Sequence, residues 1–106
     1  MLTNIKVLFL RSNLIESLKG VENLKSLVFI CFDKNSITSL EPLATLTEIT
    51  QISGSENKIT SLFGIQELVK LKKIILYVNE ITCIEFTEKL TAIREFNFNS
   101  NPIPKV

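Results

Sequence analysis

The sequence predicts an α/β solenoid: a short right-handed horseshoe arc with five short parallel strands on its concave face. Turns and short α or 3₁₀ segments are expected on the convex face. Three observations lead there. Asn13, Asn35, Asn57, Asn79 and Asn101 stand 22 residues apart without slippage. Apolar residues stand eight, five and three positions before each asparagine, as Ile5, Leu8 and Leu10 do before Asn13, with Gly54 the one exception. After the asparagine the apolar period changes to three, as in Ile15, Leu18, Val21, Leu24 and Leu27. Residues 1–106 therefore read as a single domain of five 22-residue repeats.

The strands come first in each repeat. Alternation through Leu8 and Leu10 is the period of a strand, so those two point inward and Val7, Phe9 and Arg11 point outward. A strand of about three to five residues cannot bury its face alone, so neighbours must stack as a parallel sheet. The same phase puts Phe29, Cys31 and Asp33 outward in the second repeat and Gln51 in the third. Lys73, Ile75 and Tyr77 follow in the fourth. Val7, Phe9, Phe29 and Cys31 form one apolar group, and Ile75, Tyr77 and Val78 a second. Solvent-facing aromatics grouped this way mark an interface. Arg11 and Asp33 fall in one column of adjacent strands and are expected to pair. In the inward column Gly54 removes a side chain, and the larger Phe32 ring, or Phe98 acting through Leu76, is expected to fill the space.

Where the chain turns off each strand, backbone groups point inward with no ladder partner. A buried unpaired polar group costs about 1–3 kcal/mol. The asparagine ladder, with both donors and an acceptor on a short stem, is expected to satisfy its own turn and the next. On the return side Gly20, Pro42 and Gly64 stand seven residues after the asparagine. Gly permits a positive-φ turn and Pro suits a helix start, so one short α or 3₁₀ segment is expected in each of repeats one to three. In repeat four Phe86 takes that place. It is expected to be buried, with Thr87 capping Glu88–Leu90. Ser17, Ser39, Ser61 and Cys83 form a small-residue column that reads as packing.

The pattern L-x-x-L-x-L-x-x-N-x-I resembles the leucine-rich repeat across essentially the whole chain. The 22-residue length and the three-residue tail are similar to its intracellular class. That class is typified by the regulatory subunit of protein phosphatase 1, the leucine-rich-repeat light chain of axonemal dynein and a spliceosomal snRNP protein. The resemblance implies an adaptor rather than an enzyme. It also implies that Asn101-Pro102-Ile103 is a closing repeat. Leu2 takes the place of Leu24 in a partial repeat, and no polar cap is visible at either end. The expectation is therefore a fragment whose end strands expose core side chains, or a chain that dimerises through an end.

Composition narrows the function. Net charge is +1 with both signs scattered, so bulk charge points to neither nucleic acid nor a membrane surface. Lys70, Lys72 and Lys73, with Lys58, are the only basic cluster, and RNA-associated scaffolding would rest on them. There is no histidine and Asp33 is the only aspartate, which leaves little for acid–base or metal chemistry. No catalytic residue, metal or cofactor is expected. Cys31 and Cys83 lie two repeats apart, about 10 Å at ladder spacing, beyond the reach of a disulfide. Free thiols and the lack of a leader pattern suggest the cytoplasm, with nuclear or axonemal sites as variants. The expected partner is a protein, or a helix of one, held on the concave face. A homodimer stacked through the ends is the alternative.

Overall fold

The computed structural model describes residues 4–86 and 88–104. The places proposed for Leu2 and for Thr87 as a cap lie outside these residues. Five strands form one parallel sheet in chain order: β1 Val7–Phe9, β2 Phe29–Cys31, β3 Gln51–Ser53, β4 Lys73–Ile75 and β5 Glu95–Asn97. Each residue pairs with the residue 22 positions later, for example Val7 with Phe29 and Leu8 with Ile30. The stack measures 47 × 32 × 18 Å.

The inward strand residues and the three-period residues meet in one core. Leu27, Ile30, Ile37, Leu40, Ile52, Leu71 and Ile74 are all fully buried. Phe32 fills the gap at Gly54. A Cβ on Gly54 would lie 2.3 Å from Cε2 of the Phe32 ring and 3.1 Å from Leu76 Cδ2. The backbone at Gly54 has ceded its side-chain space to the ring of the preceding repeat.

The three-residue period has a direct backbone cause. In the first three repeats the N–H of each of the last three residues of the three-residue period donates to the carbonyl of the period residue before it. Val21, Leu24 and Leu27 donate to Leu18, Val21 and Leu24 at 3.0–3.2 Å, and repeats two and three do the same. The return side is thus a string of single turns whose period equals that of the buried side chains. Two of these turns tighten into 3₁₀ segments, Val21–Asn23 and Glu41–Leu43. The third repeat, expected to carry one too, stays as separate turns through Ile65 and Leu68, and Glu88–Leu90 contains no helix.

The glycine column explains itself at the same level. Gly20 and Gly64 adopt φ +111 and +120, and their N–H groups donate to Glu22 and Gln66 two residues on. Pro42 has no N–H to satisfy, and Ala44 stands where the acceptor would be. Ser17, Ser39 and Ser61 do more than pack: each hydroxyl accepts a backbone N–H two residues on, at 3.0–3.2 Å. Phe86 is half-buried rather than buried, and its ring lies 5.9 Å from Phe96 and 6.0 Å from Phe98.

Candidate binding surface on the concave sheet

The asparagines set the phase of this surface, and they reach backward along the chain. Asn57 Nδ2 donates to Phe32 O of the preceding turn at 3.0 Å and to Gly54 O and Ser55 O of its own. Its Oδ1 accepts the Ile37 N–H at 2.9 Å. Asn35, Asn79 and Asn101 bond the preceding turn in the same way. Among the described residues the Asn13 side chain bonds only Arg11 O, and Asn13 is exposed. The second turn that each asparagine serves is therefore the one before it, not the one after.

One feature of the turn was missed by sequence reasoning. The residue before each asparagine adopts a left-handed backbone: Ser12, Lys34, Glu56, Val78 and Ser100 have φ between 56 and 60. No glycine marks the column, and the asparagine itself stands one residue later. The five residue types share nothing that would reveal it. At Val78 the conformation is strained, because a β-branched side chain crowds the backbone there.

On the outward face the structure brings together much of the apolar group near the N-terminus. Phe9 is 67% exposed and Val7 49%. The Phe9 and Phe29 rings meet edge to face at 5.4 Å and 83°. Cys31 pairs with Phe9 in the ladder but is only 8% exposed, so its expected place among the accessible contacts is corrected: neighbouring side chains cover it. Gln51, Lys73 and Ile75 are half-buried and Tyr77 is exposed.

The expected Arg11–Asp33 pair does not form. Asp33 Oδ1 instead accepts from Ser53 Oγ and from the Ser55 N–H, both at 2.9 Å. The reason is energetic: an exposed ion pair contributes at most about 1 kcal/mol, whereas a carboxylate on a backbone N–H makes a charge-assisted bond of about 1.5–3 kcal/mol. Asp33 thus joins β2 to the turn after β3. The basic cluster is partly neutralised, since Lys70 binds Glu48 at 2.8 Å and Lys73 binds Glu95 at 3.3 Å.

Both cysteines are free, Cys31 in β2 and Cys83 on the return side. Desolvation, and then the Glu85 carboxylate, push the exposed Cys83 thiol above its ordinary value, which disfavours the reactive thiolate. Among the described residues no helix is long and apolar enough to cross a membrane.

A parallel stack of strands, a backward-bonding asparagine in every turn and a three-residue apolar return define a leucine-rich-repeat protein. Internalin C2 from Listeria monocytogenes has the same fold, with a TM-score of 0.93 and 30% identity over 99% of this chain and 46% of its own. A second internalin from that bacterium is similar at a TM-score of 0.79 and 21% identity, over 96% of this chain and 37% of its own. The chain spans less than half the length of either neighbour. No family model matches it, and no curated protein matches it by sequence.

Proposed function

We propose that the chain is a non-catalytic interaction scaffold that holds a partner protein, or a helix of one, against its concave sheet. The observation that carries this reading is the exposed Phe9 and Val7 beside the half-buried Phe29, whose ring meets that of Phe9 edge to face on the outward side of the sheet. Rigid, solvent-facing aromatics lose little entropy on binding and are the usual anchors of protein interfaces. Ile75 and Tyr77 extend the surface along the sheet. The intracellular class and a cytoplasmic location belong to the same proposal. Their support is the repeat length and the two free cysteines.

Affinity capture with the wild type and with Phe9→Ala and Phe29→Ala tests it. Each variant is expected to weaken the captured partner by about 1–3 kcal/mol, with a urea transition close to that of the wild type. Capture unchanged by both variants would overturn the concave-face reading. A second reading, assembly through the ends of the stack, is favoured by Phe96. It occupies the inward column of Ile30, Ile52 and Ile74, which are fully buried, yet is 57% exposed. A mass that rises with concentration and falls to the monomer in Phe96→Lys would support it.

A further inference from the structure

We infer that the partner segment seated at the N-terminal end of the concave face is acidic: a peptide that places a large apolar side chain on Phe9 and Phe29 and a carboxylate on Arg11. The inference rests on the concave face being the docking surface and adds the chemistry of what docks there. Arg11 lies two residues beyond Phe9, at the start of the turn that follows β1, within about 7 Å of chain. Residues two apart in an extended partner have that same spacing.

The charge argument turns on Asp33. It stands 22 residues after Arg11, in the adjoining turn whose Asp33 carbonyl accepts the Ser12 N–H, and is the natural counter-ion, but its Oδ1 holds Ser53 and Ser55. Among the described residues Arg11 has no ion pair, and it is exposed. The other outward cation, Lys73, is already bound to Glu95. The outward cation without an internal counter-ion therefore stands beside the most exposed aromatic of the sheet. Lys34 adds a second positive charge at the same rim. It is exposed, and its N–H donates to Ser55 O, which fixes its backbone one position beyond Asp33.

A guanidinium is weakly hydrated and presents a planar fork that matches a carboxylate. A basic segment would meet like charge here, and the neighbouring carboxylate, Asp33, already serves Ser53 and Ser55 through Oδ1. A nucleic acid would need a track of cations along its backbone. This end of the sheet offers instead an apolar surface with a positive edge, which suits an acidic peptide bearing an aromatic or long aliphatic residue.

The test uses the 106-residue chain and dye-labelled decapeptides in fluorescence polarisation. One peptide carries a single Phe flanked by Glu, a second the same Phe flanked by Lys, and a third has Ser for the Phe. A labelled oligonucleotide of matching charge is the fourth probe. The Glu–Phe peptide is expected to bind most tightly, and its affinity to fall as salt is raised from about 50 to about 500 mM. Arg11→Glu should lower its affinity roughly five- to tenfold and raise that of the Lys–Phe peptide. Phe9→Ala should lower both.

Equal or tighter binding of the Lys–Phe peptide or the oligonucleotide would overturn the inference, as would indifference to Arg11→Glu. Failure of every peptide to bind would overturn it as well. Loss of binding in Phe9→Ala without any dependence on charge would sink the acidic partner alone and leave the concave surface standing.

Discussion

Asn13 and Asn57 occupy the same place in the same motif, yet they contribute very differently. Asn57 is 8% exposed and connects four backbone groups of two successive turns, whereas Asn13 is exposed and its side chain donates only to its own turn. The residue type is not what stabilises the stack. What matters is the preceding turn to which the side chain can reach back.

Asn57→Ala gives the largest expected effect. It would leave the Ile37 N–H without its partner and take one of two asparagine donors from the Phe32 and Gly54 carbonyls, which Asn35 and Asn79 also serve, a loss of about 2–3 kcal/mol in urea unfolding. Asn13→Ala should change stability by less than about 0.5 kcal/mol. If the two variants lost equal stability, the backward direction of the ladder would be wrong. Next in size is Gly54→Ala, which forces a methyl group into the Phe32 ring and should cost about 1–3 kcal/mol. Phe32→Leu, harmful alone, should cost less in the Gly54→Ala background, and a double-mutant cycle reads that coupling.

The left-handed column offers a gain rather than a loss. Val78→Asn should stabilise by about 1 kcal/mol, because Asn tolerates the conformation that Val78 strains to hold. Ser100→Asn, at the same place without branching, should gain less, and calorimetric melting temperatures separate the two.

The smallest effect compares Glu22 with Gln66, which accept the same glycine N–H in repeats one and three. The Gly20 N–H, and then the backbone N–H of Glu22 itself, hold the Glu22 carboxyl below its usual range. A carboxylate with a depressed folded pKa contributes stability above its unfolded pKa, and loses it as pH falls through the folded value. Glu22→Gln should keep the bond and slightly flatten the acid limb of the stability curve between those two values. An unchanged acid limb would show that Glu22 has no part in it.

Much of the architecture was legible because one period governs it. The five strands, their register, the buried columns and the filling of the Gly54 space by Phe32 all follow from residues 22 apart. The shortfall came where two partners compete for one group. Asp33 could meet Arg11 beside it or Ser53 and Ser55 one repeat on. Only the placement of the Ser55 N–H decides between them. The left-handed residues were illegible for another reason: the stack imposes their conformation, and local preference leaves no mark at Lys34, Glu56 or Val78. The candidate surface was legible as a set of outward positions. Accessibility was not, because Cys31 is covered by its neighbours although its direction is outward.

The backward reach of the asparagines also sets a timetable for synthesis. The Phe32 carbonyl, bonded first by Asn35, gains its second donor from Asn57, 25 residues downstream, and the Gly54 carbonyl, bonded first by Asn57, gains its second from Asn79 at the same separation. As the chain emerges from the ribosome, each turn is completed only when the next asparagine arrives. At typical elongation rates that is a lag of roughly one to four seconds per repeat. The nascent protein thus carries a single incomplete edge that advances by one repeat at a time, and every turn behind it is already closed.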